Sequence, residues 1–274
     1  MLRWELPGKD QGPEAGSPHT VWLGMPCIDL NCDIGEGMDS DAAIFPLISS
    51  ANIACGAHAG DADTMRRSVE LALRHQVAIG GHPSYPDREN FGRIDLLGET
   101  LRPEELPEIL FGQLNLLQQI CSEMGTRLHH IKPHGALYNR AAKDAAISGL
   151  ICQALQQFDA SLLLYGLSGS EMQRQAGVYG LSFVSEVFAD RTYREDGTLT
   201  PRTEAHALIE DPMQAIRQVL MMVREGKVIA TTGKEIPLAA ATVCLHGDGS
   251  HALDFARLIR ERLLENGIGV RAPF

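Results

Sequence analysis

Seven short apolar runs, near residues 27–33, 49–55, 77–81, 128–132, 161–166, 181–187 and 242–246, are mostly separated by stretches whose apolar residues recur every three to four positions. Those stretches run from Thr64 to His75, Pro103 to Met124, Ala141 to Gln157, Gly169 to Ala176, Pro212 to Arg224 and Ala252 to Asn266, and their spacing predicts helices. Strand alternating with helix implies parallel pairing through right-handed crossovers, which leaves an α/β fold of one of two kinds, a closed β/α barrel or a doubly wound sheet. Polar clusters follow almost every run. An open sheet gathers its site at one switch point, whereas a barrel mouth collects many strand ends, so an irregular seven-stranded parallel β/α barrel is expected. Local punctuation agrees: Asp63 is placed to cap the helix through Glu70, Pro103 stands at a first helical turn, and Asn266-Gly267 makes a stop.

The first run carries an anomaly. In Ile28-Asp29-Leu30-Asn31-Cys32-Asp33 the polar residues alternate, and the two-residue repeat of a strand turns Asp29, Asn31 and Asp33 to one side. That side is either water or a polar interior, and a site explains it better than an ordinary core strand does. The turn that follows, Ile34-Gly35-Glu36-Gly37, adds another carboxylate.

Composition narrows the partners. With 274 residues, 44% of them apolar, the chain suits one barrel, and a single domain is expected over residues 25–274. Residues 1–24 mix Pro and Gly with polar neighbours and read as a disordered extension, with Met25 as the expected natural start. A net charge of −11 without a Lys/Arg-rich run excludes nucleic acid and anionic membranes as natural partners. No stretch approaches the roughly 20 apolar residues of a membrane span, and no signal peptide is recognisable, so a cytoplasmic location is expected. The six cysteines form no Cys-x-x-Cys pair and read as reduced thiols.

Four runs end in a histidine among small residues: Ala57-His58-Ala59-Gly60-Asp61, Gly80-Gly81-His82-Pro83, Lys132-Pro133-His134-Gly135 and Leu245-His246-Gly247-Asp248. Asp61 is best read as a helix cap and Asp248 as the cap of the last helix, while His58 lies upstream of any helix. His82 opens a long Pro-rich loop through Arg93 that reads as a lid. Lys132, His134 and Tyr138 bring an ammonium, an imidazole and a phenol to one strand end. Glu186 ends another run, followed by Asp190 and Arg191; the pair is either an exposed ion pair or, through the planar guanidinium, a clamp for a substrate carboxylate. Asp33 with His58 and His82 could hold a divalent metal that activates water, and the same residues could work as acid and base without one. The residues leave both open.

On these stretches, in order from about Ile28 to the end, the chain resembles the LamB/YcsF family, the A component of bacterial ATP-dependent 5-oxoprolinase. Asp29-Leu30-Asn31-Cys32-Asp33-Ile34-Gly35-Glu36, Ser50 to Gly56 with His58-Ala59-Gly60-Asp61, His82-Pro83 with Phe91-Gly92-Arg93, and Lys132 to Asn139 carry the resemblance, with Glu186, Phe188 to Arg191 and His246-Gly247-Asp248. Ile94 stands where the family pattern usually has a second arginine. The resemblance implies an irregular seven-stranded barrel like that of the polysaccharide deacetylases. It also implies opening of the 5-oxo-L-proline lactam to L-glutamate with ATP hydrolysis, together with B and C subunits. ATP would be held by another motif or a partner chain, since Thr232-Gly233-Lys234-Glu235 lacks the upstream glycine and the hydroxyl of a phosphate loop. The expected catalytic set is Asp33, His58, His82, Lys132, His134 and Glu186. The expected substrate contacts are Asn31, Tyr138, Asp190, Arg191 and His246. The alternatives are a stand-alone metal-dependent deacylase and a non-catalytic subunit that binds the lactam, and a homo-oligomer is left open.

Overall fold

The computed structural model describes residues 21–22, 25–245 and 252–274. The expected extension, apart from Val21–Trp22, falls outside the described residues, as do His246 and the Asp248 cap. Seven parallel strands form the barrel: β1 Met25–Ile34, β2 Ser50–Ala54, β3 Ala78–His82, β4 His130–Ile131, β5 Leu163–Leu167, β6 Phe183–Phe188 and β7 Thr242–Leu245. Each pairs with the next in chain order, and β7 closes the ring against β1 with Thr242 opposite Asp29 and Leu245 opposite Cys32. All seven apolar runs of the sequence are these strands. Gly269–Val270 adds a short parallel pairing to the start of β1, and Val21–Trp22 an antiparallel one.

Helices α1 Ala62–His75, α2 Leu106–Glu123, α3 Gly135–Ala141, α4 Ala145–Asp159, α5 Glu171–Tyr179, α6 Pro212–Glu225 and α7 Ala252–Glu265 cover the outside. Asp61, rather than Asp63, caps α1 by accepting the Thr64 N–H at 2.8 Å, and Asp63 lies in the first turn. The helix expected from Ala141 to Gln157 begins at Ala145 instead, and Ala141 ends the short α3 before it. Asp144 accepts from the Ala146 and Ile147 N–H groups and so starts a second helix inside an unbroken apolar pattern. No helix among the described residues is long and apolar enough to cross a membrane, and all six cysteines are free.

The core has two parts. Apolar residues on the outer faces of the strands pack against the helices in one large cluster. The barrel interior is layered differently. Leu163, Tyr165 and Val184 pack together inside it, and beside them Asp29 is enclosed by hydroxyls. Ser49 and Ser50 donate to its Oδ1 at 2.6 and 2.8 Å, and Tyr165 and Thr242 to its Oδ2 at 3.0 and 2.6 Å. Next come Asn31, Asn52 and His130, with Asn52 Nδ2 donating to Asn31 Oδ1 at 2.8 Å and His130 Nε2 meeting Asn52 Oδ1 at 2.8 Å. Asp29, Asn31 and Asp33 therefore share one face, and that face is a buried polar interior.

Gly80 makes room for this interior. The His130 ring lies across it and stacks on Tyr165 with centroids 4.1 Å apart. A Cβ on Gly80 would stand 2.1 Å from His130 Nε2, whereas one on Gly81 would meet the ends of the Leu114 and Ile131 side chains, at 2.7 and 3.2 Å. His130 is held at both ends and cannot yield, while Leu114 can change rotamer. Gly80→Ala is expected to lower stability in urea denaturation by about 3 kcal/mol, clearly more than Gly81→Ala.

Candidate functional site

At the C-terminal ends of the strands two charged clusters meet. The inner one centres on Lys132, just past β4. Its Nζ lies 2.9 Å from Asp33 Oδ1, 2.8 Å from Glu186 Oε1, 3.2 Å from Asn31 Oδ1 and 3.2 Å from Cys244 Sγ. Tyr138, on α3, donates to the other Glu186 oxygen at 2.7 Å. Asn52 Nδ2 adds a bond to Asp33 Oδ1 at 2.8 Å. Burial opposes charge on Lys132, but Asp33, Cys244 and Glu186 outweigh it and hold the ammonium pKa well above its ordinary value. Asp33, whose burial would raise it, is pulled well below the usual carboxylate range by His82 and Lys132.

The outer cluster is built from three imidazoles and Glu36. His82 Nδ1 donates to the Lys132 carbonyl at 2.7 Å, and His134 Nε2 to the Phe91 carbonyl at 2.9 Å. His58 Nδ1 meets Ser84 Oγ at 2.9 Å, and that hydroxyl donates onward to the Tyr85 carbonyl at 2.8 Å. Each ring thus has one nitrogen engaged away from the centre, and the other turns inward. His58 Nε2 is 3.0 Å, His134 Nδ1 3.3 Å and His82 Nε2 3.7 Å from Glu36 Oε1, and His82 Nε2 is 2.9 Å from His134 Nδ1. The four inward atoms lie within 4.8 Å of one another. Burial, with His82 adding to it, pushes His58 down to about 3; burial with His82 and His58 does the same for His134. His82 behaves oppositely: burial is overcome by Asp33, only 3.3 Å away, and the ring holds its proton more tightly than an ordinary histidine. Burial and Asp33 raise the Glu36 carboxyl.

This donor set suits a divalent cation. Neutral imidazoles whose outer N–H is fixed by a carbonyl or hydroxyl are what metal-binding histidines require, and a carboxylate completes the four. The set keeps His58 and His82 of the expected three and adds Glu36 and His134, while Asp33 bridges the clusters, with Oδ1 on Lys132 and Oδ2 3.3 Å from His82 Nε2. Gly135 lets the long loop after β3 close over the cluster. It takes φ +56°, and a Cβ there would lie 2.5 Å from the Gly92 carbonyl oxygen.

The remaining expected residues are spread out. Asn31 is buried beneath Lys132, also donating to Thr242 Oγ1 at 2.7 Å. Arg191 is 6% exposed, and its Nη2 and Nε donate to the Thr200 and Ala207 carbonyls at 2.6 and 3.4 Å. Its guanidinium pins the excursion after β6, a task that differs from the expected carboxylate clamp. The Asp190 carbonyl accepts from Ile209 N in the same excursion. Asn52 and His130 are not among the expected site residues, although Ser50-Ala51-Asn52 shows the same alternation as β1, and Glu36 is expected only as a further carboxylate in the turn.

The chain is thus a closed seven-stranded parallel β/α barrel with a histidine and carboxylate centre at its mouth. Residues 28–274 match the LamB/YcsF family, and the chain belongs to it. The A component of the 5-oxoprolinase of Bordetella parapertussis is 50% identical over 252 residues, covering 90% of this chain and 99% of that protein. The crystal structure of a lactam utilization protein from Thermus thermophilus superposes with a TM-score of 0.83 at 40% identity, covering 90% of this chain and all of that one. The catalytic domain of a peptidoglycan N-acetylglucosamine deacetylase from Eubacterium rectale shares the fold alone, at TM-score 0.51 and 13% identity over 95% of this chain and 93% of that one.

Lys132→Met leaves Asp33 and Glu186 without their counter-charge. At pH 7 it is expected to cost about 3–5 kcal/mol in urea denaturation. The Asp33 pKa lies below its unfolded value, so in the wild type its contribution is present above about pH 4 and lost as pH falls further. Without the ammonium that contribution is absent, so the gap between the two proteins should hold from pH 7 to about pH 4 and narrow as pH falls further.

Proposed function

We propose that the chain is the A component of an ATP-dependent 5-oxoprolinase, opening the lactam of 5-oxo-L-proline to L-glutamate together with B and C subunits. The observation that carries this reading is the junction of the two clusters. A cation-type centre of Glu36, His58, His82 and His134 abuts a buried ammonium with two carboxylates. The names of the relatives, one a 5-oxoprolinase component and the other a lactam utilization protein, support the substrate.

A lactam resists water because nitrogen donates into its carbonyl, so the site must stabilise charge gathering on the carbonyl oxygen. Glu36, His58, His82 and His134 would hold a divalent cation, which when bound would supply Lewis acidity for that purpose. Lys132 offers a fixed ammonium to the same developing charge, oriented in advance by Asp33 and Glu186 and screened little by water. Asp33, with its side chain 17% exposed, faces the mouth more openly than Glu36, the histidines or Glu186. It is the group positioned to take a proton from attacking water and return it to the ring nitrogen. Tyr138 holds Glu186 in place. ATP, acting at the lactam oxygen, would be supplied through partner subunits.

The test is glutamate release from 5-oxoproline and ATP. The chain alone is expected to be inactive and the mixture with both partners active. Glu36→Gln and His82→Ala should each lower turnover of the mixture by at least 100-fold, with the circular dichroism of the folded chain retained. Full turnover in both variants would contradict the assignment. The donor set by itself also favours a second reading, a metal-dependent deacylase that acts alone; ATP-independent, chelator-sensitive amide hydrolysis by the purified chain would establish it.

A further inference from the structure

The three imidazoles of the outer cluster are not fixed in the same way. His82 and His134 face backbone carbonyls, which can only accept, so the outer nitrogen of each must carry the proton. His58 faces a hydroxyl, which can donate or accept. The direction there is decided by Ser84. Its proton is drawn to the Tyr85 carbonyl 2.8 Å away, so its oxygen is left to accept from His58 Nδ1.

Ser84 is in turn gripped from outside the barrel. Gln113 accepts the Ser84 N–H at 3.0 Å and donates to the Ser84 carbonyl at 2.8 Å, both bonds buried. On α2 the core-facing residues are Leu106, Leu110, Gln113, Leu114, Leu117, Ile120 and Cys121. An amide in that apolar stripe costs free energy unless its bonds are made, and here both ends of the amide are matched to one residue of the loop. The Ser84 side chain is fully buried as well.

We infer that Ser84, held by Gln113, is a positioning residue that sets the tautomer of His58, so that the Nε2 lone pair points at Glu36 and is free for a cation. This rests on the cation reading of the outer cluster. Neither residue touches the four inward atoms; both act through His58. Without the hydroxyl, His58 gains more by placing its proton on Nε2, toward Glu36 Oε1 at 3.0 Å. A cation must then displace that proton.

The experiment is long-range nitrogen–proton correlation spectroscopy on metal-free protein labelled with 15N-histidine at pH 8, paired with Zn²⁺ affinity by competition titration. The wild type is expected to hold His58 protonated on Nδ1. Ser84→Ala is expected to move that proton to Nε2, to leave the His82 and His134 tautomers unchanged, and to weaken Zn²⁺ binding by about 10–100-fold. Gln113→Met keeps the hydroxyl and loosens its placement, so it should give a mixed His58 tautomer and a smaller loss of affinity; it serves as the deciding variant if Ser84→Ala does not fold. A wild-type His58 already protonated on Nε2, or an unchanged Nδ1 proton in the variants, overturns the inference. Tautomers that shift as described in a protein that takes up no Zn²⁺ would sink the cation reading and leave the positioning role standing.

Discussion

The structure depends on one buried charge. Lys132 places an ammonium inside a protein barrel, where an unpaired ion costs several kcal/mol, and it is tolerable only because Asp33 and Glu186 flank it at 2.9 and 2.8 Å. That requirement spreads through the neighbouring strands. Asn52 must satisfy Asp33, Asn31 must bridge Asn52 and Thr242, Tyr138 must hold Glu186, and His130 must reach Asn52 across a strand stripped to glycine. The same residue also reaches the outer cluster, because its carbonyl fixes the proton of His82. One lysine therefore ties the interior of the barrel to the histidines at its mouth.

Charge is divided unevenly between the two clusters, and the division suits a centre that receives a cation. His58 and His134 are kept neutral by burial and by the neighbouring His82, and they stack with ring centroids 3.8 Å apart. His82 alone holds its proton firmly, under the field of Asp33, while the Glu36 carboxyl is raised. A divalent cation at the point where these four converge would take over the role of that proton and stabilise the carboxylate. The large open cavities lie elsewhere: one of about 630 Å³ lies between the end of α6 and the excursion after β6. Enclosure by the Phe91 loop, rather than volume, characterises the histidine centre.

Much of this was legible in the sequence, and the losses have physical reasons. The strands are legible because each is a short apolar run, and the inward face of β1 because alternation survives burial. The histidines at strand ends are legible because small neighbours leave no packing role for them. Asp144 is not, since the apolar period runs straight through it and only its side-chain bonds to Ala146 and Ile147 start a new helix. Arg191 is not, because its partners are backbone carbonyls, which leave no trace in residue type. Glu36 joins the histidines through the geometry of a turn, and Gln113 looks like an ordinary polar residue on a helix until its partner on the loop is known.

The most direct test of the cation centre is anomalous diffraction from crystals of the protein soaked in Zn²⁺. A peak is expected about 2.0–2.2 Å from His58 Nε2, His82 Nε2, His134 Nδ1 and a Glu36 oxygen, with the Lys132 ammonium still between Asp33 and Glu186. A peak held by other residues, or none while the three rings and Glu36 stay bonded to one another, would contradict it.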